Sequence, residues 1–255
     1  MTVGARELDT VDLEQRVKSM YEQVALDPNR PFHFETGRPL AERLGYPAAG
    51  LDLIPGESID SFAGVGYFFD LAAPAAGETI LDLGSGSGMD SFLAALAVGP
   101  SGTVIGVDMT SAQLEKSRRL ATGDVEFRQG YIEEPPVEAG SVDCLISNGV
   151  INLSADKPRV FAAAARALRP GGRLAIADIV TAVQLPAGVT CDAALWAACI
   201  GGAMQADGYR EAIEAAGFHV STVRENTAYR FVSDRAADAT SKYGVTSISL
   251  LAHRS

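Results

Sequence analysis

The run Asp82-Leu83-Gly84-Ser85-Gly86-Ser87-Gly88 concentrates the most chemistry in this chain. It follows the short apolar stretch TILDLG and opens the helical pattern GMDSFLAALAVG. Glycines there let the backbone come close to a ligand, and a helix N-terminus presents free N–H groups. About twenty residues after Gly88, Asp108 ends the next apolar stretch, TVIGVDM. A carboxylate at that place can accept hydrogen bonds from both hydroxyls of a ribose. Each signal has a plainer alternative. The glycines would also suit a tight packing turn, and Asp108 could cap the following helix, although Thr110 or Ser111 stands nearer its start. Together they predict a nucleoside site. The spacing Gly84-x-Gly86-x-Gly88 departs from the G-x-G-x-x-G of dinucleotide pyrophosphate sites. Asp82, an acid at a strand end, suits a ligand with an ammonium group and repels a pyrophosphate.

Such a site needs a sheet whose strand ends carry it. From Glu78 onward, apolar runs alternate with helical patterns: TILDLG, TVIGVDM, VEFRQG, SVDCLISNGV and RLAIADIV as strands, with GMDSFLAALAVG, SAQLEKSRRLA and KPRVFAAAARAL as helices. Repeated strand–helix units predict an α/β fold with a mostly parallel, doubly wound sheet. Arg169-Pro170-Gly171-Gly172 should end the last of these helices. CDAALWAACIGGA and DGYREAIEAAG read as helices. FHVSTVRENT and VTSISLLAHR read as two strands that pair antiparallel to close the sheet, with no long helix between them. Residues 1–75 differ: Asp12 caps a helix through LEQRVKSMYEQVAL, and a loop-rich, aromatic stretch follows. The division expected is 1–75 as an N-terminal lid on the substrate side and 76–255 as the nucleoside-binding domain.

The bulk properties narrow the function classes. A chain of 255 residues with 47% hydrophobic and 21% charged residues can bury a substantial core. A formal net charge of -11 and no Lys/Arg cluster argue against nucleic acid as a partner. No apolar run reaches spanning length, and the polar, acidic start does not read as a signal peptide, so no membrane partner is expected. Three cysteines make no disulfide framework. A reducing cytoplasm is the simplest location. The three histidines are scattered and no metal-ligand spacing occurs, so no metal is expected.

LDLGSGSG, GVDM, RQGYIEEPP, SNGVINLS and LRPGGRLAIADIV resemble, in order and spacing, the successive motifs of class I S-adenosylmethionine-dependent methyltransferases over about residues 78–181. The resemblance implies a Rossmann-like seven-stranded sheet with a helical, loop-rich N-terminal lid, S-adenosylmethionine as cofactor, and a small-molecule substrate. It implies that Asp82, Gly84, Ser85, Gly86 and Gly88 hold the methionine part, Asp108 and Met109 the ribose and adenine, and Gly130, Tyr131 and Ile132 the adenine, with Asn148 near the methionine portion. GYIEEPP, SNGVINLSADK, LWAACIGGA and, upstream, ERLGYP and ESIDSFAGVGYFF are similar to stretches of the arsenite methyltransferase family, over about residues 15–218. That family uses cysteines in three places relevant here. Cys199 matches one; Val65 and Gly149 stand near or at the other two. Thiolates suit trivalent arsenic as soft ligands of a soft centre. Cys191, eight residues before Cys199, would lie about 80° away on a continuous helix and is the available partner.

The expected function is therefore methyl transfer to trivalent arsenic through Cys199 and Cys191, or to a small organic metabolite, since Val65 and Gly149 replace two of the family's cysteines. An NAD-dependent oxidoreductase and a non-catalytic S-adenosylmethionine sensor are the rivals from other classes. An oxygen acceptor would need a general base, for which Tyr21, His33, Glu35 and Tyr67 are candidates on the lid. The ribose assignment makes a direct prediction. Asp108→Ala should weaken S-adenosylmethionine binding roughly 30- to 150-fold, about 2–3 kcal/mol, because two charge-assisted hydrogen bonds are lost. Calorimetry showing less than a threefold loss would remove Asp108 from the ribose.

Overall fold

The computed structural model describes all residues except 1–7, 122, 124, 192–195, 197–199 and 233, and the side chains of 234–237. The main sheet contains β1 (Thr79–Leu83), β2 (Thr103–Asp108), β3 (Val125–Gln129), β4 (Val142–Asn148), β5 (Leu168–Thr181), β7 (Phe218–Glu225) and β8 (Thr246–Arg254). Their order is β3-β2-β1-β4-β5-β8-β7, and a two-residue strand, β6 (Met204–Gln205), pairs with the end of β5. The five strands from β1 to β5 run parallel, and β8 pairs antiparallel with both β5 and β7. The seven strands expected from sequence are thus present, with β6 as an addition too short to read.

Side chains alternate across the sheet because a strand repeats every two residues. Ile80, Val104, Cys144, Ile146, Ala175 and Ala177 pack on one face; Leu81, Leu83, Ile105, Leu145, Leu174 and Ile176 pack on the other. Both faces are covered, as a parallel sheet requires. Helices α6 (Met89–Val98) and α7 (Ser111–Leu120) follow β1 and β2. The opposite face takes Phe161 of α8 (Lys157–Ala167) and Tyr209 and Ile213 of α10 (Ala206–Ala215), with Phe161 edge-on to Tyr209 at 5.4 Å. The short α9 spans Ala187–Thr190.

Before β1 come α1 (Thr10–Leu26) and four short helices, α2 (Arg38–Leu44), α3 (Ala48–Leu51), α4 (Gly56–Asp60) and α5 (Phe69–Ala72). Leu40, Tyr46, Leu51, Ile59, Phe62, Val65 and Phe68 belong to the same hydrophobic cluster as the first face of the sheet. The N-terminal aromatics pack there, with Tyr46 edge-on to Phe62 and Tyr67. α1 lies against α7, where Gln113 donates to the Tyr21 carbonyl and Lys116 to that of Ala25.

Two local expectations are corrected. Asp9, not Asp12, caps α1, accepting from the backbone N–H groups of Val11 and Asp12; Asp12 lies in the first turn and pairs with Arg16. A helix, α11 (Asp234–Tyr243), stands between β7 and β8; its sequence DRAADATSKY offers no apolar stripe to read beyond small alanines. Arg169–Gly172 lie just past the end of α8 at Ala167, where the helix is expected to stop. They form a bulged start of β5, since Val142 pairs with Leu168 while Cys144 already pairs with Arg173. The α1 cap is testable. Asp9→Ala should destabilise α1 by about 1 kcal/mol, and Asp12→Ala by about half that, an effect of dipole and exposed pair alone. Amide exchange in residues 10–16 that responds equally to both would contradict the assignment.

Candidate functional site

A cavity of about 260 Å³ opens at the C-terminal ends of β1, β2 and β4. The Gly-rich turn between β1 and α6 forms its floor. Gly84 and Ser85 both donate to the Val107 carbonyl, which ties the turn to β2. Gly84 has φ +74, and a Cβ there would lie 2.4 Å from Val150, so only glycine fits between the two loops. Of the sequence-predicted residues, Asp82, Gly84, Ser85, Gly86, Asp108, Met109, Gly130, Tyr131, Ile132 and Asn148 line this cavity. Gly88 does not. It opens α6 with φ +94, and a Cβ there would lie 2.7 Å from Phe127, so its place is in helix–sheet packing.

Asp108 accepts from the Gly86 N–H (2.9 Å) with one oxygen and from the Thr110 N–H (2.8 Å) with the other. It therefore shapes the glycine turn and starts the next helix while lining the cavity. Burial raises its pKa, and these backbone donors oppose that shift.

The deepest part holds two acids. Asp82 accepts from Ser91 Oγ (2.6 Å), and its pKa is pushed up to about 8 by burial and then by the neighbouring Asp90. Asp90, in the first turn of α6, accepts from the Tyr46 hydroxyl (2.7 Å) and from Asn148 Nδ2 (3.1 Å). Burial raises it to about 6 against those two hydrogen bonds. No lysine or arginine among the described residues pairs with either acid. Ser85 Oγ is buried on the same wall with no partner among the described residues.

Asn148 joins the sheet to the N-terminal segment. Its carbonyl accepts from Val65 N–H (2.8 Å) and Gly66 N–H (3.3 Å), and its amide also reaches Tyr46 and the Gly66 carbonyl. The sequence reading missed Asp90 and Tyr46. An acid two residues past the glycine turn was a signal for Asp90; nothing local marked Tyr46, which arrives through the tertiary fold.

Leu13, Glu14, Val17 and Tyr21 of α1 cover the cavity from the N-terminal side, joined by Phe62 and Gly64. Glu14 accepts from Tyr131 Oη (2.7 Å) and from Lys18 (2.6 Å), so α1 is latched to the loop after β3. Lys18 chiefly lowers the pKa of Glu14. Of the lid residues considered as bases, Tyr21 alone lines the cavity. His33 stands edge-on to Phe34, Glu35 pairs with Arg43, and Tyr67 packs on Tyr46 and Phe69.

Cys191 is not among the cavity's lining residues, and Cys199 lies outside the described residues. Cys144 is fully buried on β4, and burial pushes its thiol up to about 12. Val65 and Gly149 abut: a Cβ on Gly149 would sit 3.1 Å from Val65 Cγ1. Among the described residues no group of three His, Cys, Asp or Glu side chains is placed to hold a metal ion, and no helix is long and apolar enough to cross a membrane.

A family model described as a methyltransferase domain matches residues 74–217, more than half of the chain. The chain belongs to the methyltransferase-domain family. It resembles the arsenite methyltransferases in sequence and structure. It is 44% identical over 209 residues to an arsenite methyltransferase of Halobacterium salinarum, covering 80% of this chain and 53% of that one. The arsenite methyltransferase of Homo sapiens is 39% identical over 138 residues, 49% of this chain and 37% of that one. The crystal structure of an arsenic(III) S-adenosylmethionine methyltransferase from Chlamydomonas reinhardtii superposes with a TM-score of 0.68 at 31% identity, over 80% of this chain and 71% of that one. The chain spans about half the length of the first two curated relatives, 53% and 48%.

The two acids give this methyltransferase a pH signature. Their pKa values are raised, so the folded protein gains from them below the ordinary carboxylate range, and the gain is lost as pH rises through about 6 and about 8. A cationic ligand placed against them expels the proton. Affinity for S-adenosylhomocysteine should therefore rise about tenfold between pH 6 and 7.5, with release of up to one proton per ligand. Calorimetry in buffers of different ionisation enthalpy checks this; flat affinity without proton release would contradict it.

Proposed function

We propose that this chain transfers a methyl group from S-adenosylmethionine to a small acceptor, and that the acceptor is trivalent arsenic held by thiolates. The observation that carries the donor assignment is the pair of buried acids, Asp82 and Asp90, sharing one cavity with Asp108. A cationic amino-acid head and a ribose satisfy all three. A dinucleotide would bring a pyrophosphate against carboxylates. The unpartnered Ser85 Oγ gives the head a further hydrogen-bonding group. In this reading Asp82, Ser85, Asp90 and Asn148 surround the methionine part, Asp108 and Met109 take the ribose and adenine, and Gly130, Tyr131 and Ile132 flank the adenine.

Bound there, S-adenosylmethionine supplies a methyl group on a sulfonium, open to in-line displacement by a nucleophile. The chain's own contribution is orientation and dehydration. Residues 1–75 act as the lid and 76–255 as the methyltransferase domain. Leu13, Val17 and Tyr21 exclude water, and the Glu14–Tyr131–Lys18 latch holds α1 in place. Asn148 keeps the 63–66 backbone in register with the acids below it.

The arsenic assignment rests on the relatives that carry that activity and on Cys199 with Cys191 as its partner. Cys144, buried and held protonated, is left out. One observation favours an organic acceptor instead: Val65 and Gly149, near or at the positions of two family cysteines, touch each other and bring no sulfur. Gly149→Cys would not simply restore a ligand, because Gly149 has φ +72 and little space. Mass spectrometry of products with a labelled methyl donor separates the two readings. With arsenite, wild type should form methylated arsenic; Cys199→Ser and Cys191→Ser should abolish it while S-adenosylhomocysteine affinity stays within threefold. No methylated arsenic above the enzyme-free control would favour the organic acceptor, and turnover surviving Cys199→Ser would refute the thiol mechanism.

A further inference from the structure

Lys157 is a buried cation in an unfavourable place. It is 4% exposed and occupies the first turn of α8, where the helix dipole repels positive charge. Burial pushes its pKa down to about 8, and Asp178 and Glu133 act in the opposite sense. Two carbonyls and a ring hold it there. Its Nζ donates to the carbonyls of Asn152 (3.1 Å) and Ser154 (2.9 Å) and lies 4.8 Å from the centre of the Trp196 ring.

Each contact leads to the cavity. Asn152 and Ser154 lie in the turn after β4, whose Val150, Leu153 and Ser154 line the cavity wall. The same turn is held on its other side by Asp178, which accepts from the Asn152 backbone N–H and from Tyr209 Oη (2.7 Å). Ser154 Oγ donates to Glu133, also on the wall. Trp196 packs with Leu13 and Val17 of α1, the helix that covers the cavity, and with Leu153 of the turn. The ring fits there because Gly202 leaves the space; a Cβ at that position would lie 2.7 Å from it.

We propose that Lys157 is a positioning residue of the methyl-donor cavity: its ammonium fastens the turn after β4 to Trp196 and, through Trp196, to α1. The wall and the cover of the cavity are then one unit, and removing the cation loosens both. The donor part of this inference rests on the cavity being the S-adenosylmethionine site.

Trp196 is the one tryptophan of the chain, so its emission reports this contact directly. In ligand-free wild type, emission should follow a single titration between pH 6 and 9.5 with a midpoint near 8, as the ammonium over the ring is lost. Lys157→Met and Lys157→Arg should both abolish that transition, the first having no charge to lose and the second never losing it. At pH 7, Lys157→Met should weaken S-adenosylhomocysteine binding at least tenfold and raise amide exchange in 150–155 and 10–21. Lys157→Arg should restore binding to within threefold of wild type. The proposal is overturned if the emission transition persists in either variant. It is equally overturned if Lys157→Met binds within twofold of wild type with unchanged exchange. Should Lys157→Met fail to fold, the wild-type and Lys157→Arg titrations decide. If wild type binds no S-adenosylhomocysteine, the donor reading fails, while emission and exchange, which need no ligand, still decide the role of Lys157.

Discussion

Two buried carboxylates, Asp82 and Asp90, share one cavity without a cation beside them among the described residues, and much of the surrounding structure is arranged around that imbalance. Burying charge without a partner is costly, and such groups stay protonated until something positive arrives. Here the fold stops short of neutralising them. Ser91, Tyr46 and Asn148 give them hydrogen bonds and no positive charge. Both acids are held at the junction of β1 and α6, so the strand end and the helix start fix their separation. A site with this character selects a ligand that carries its own cation, which an amino acid bearing a sulfonium does.

The same acids explain why the N-terminal segment cannot be treated as a loose appendage. Tyr46 reaches in from it to Asp90, and Asn148 holds the backbone at Val65 and Gly66 from the sheet side. The segment shares one apolar cluster with the sheet. A lid built this way has two parts: a packed base from α2 to α5, and α1 above the cavity, held by Gln113 and Lys116 of α7, by Trp196 against Leu13 and Val17, and by a latch of Glu14, Tyr131 and Lys18. The latch residues are half-exposed, so the latch's share of that attachment is weak and salt-sensitive beside the packed contacts.

The parallel core and the cavity's strand-end residues were legible in the sequence because both rest on local signals. Short continuous apolar runs marked β1 to β5, and the glycine turn followed by Asp108 marked the cavity. What escaped was set by contacts between distant segments. Asp12 directly precedes the pattern LEQRVKSMYEQVAL, yet the helix starts at Thr10 with Asp9 as its cap, and α11 lacked an apolar stripe. Tyr46 carries no local mark, and its role exists only once its hydroxyl meets Asp90. Gly88 shows the reverse: it belongs to the glycine pattern, yet Phe127 and Phe92 take the space that a ligand-facing residue would need. The acceptor side was least legible, since the resemblance implied a matching cysteine only at Cys199, with Val65 and Gly149 near or at the other two places, and Cys199 stands outside the described residues.

The most direct measurement of the central claim is a crystal structure of the protein with S-adenosylhomocysteine bound. The account predicts the ligand's amino group within hydrogen-bond distance of Asp82 or Asp90, or one water from them, and its ribose hydroxyls on Asp108. A ligand bound with its amino group away from both acids, or in a different cavity, would contradict it.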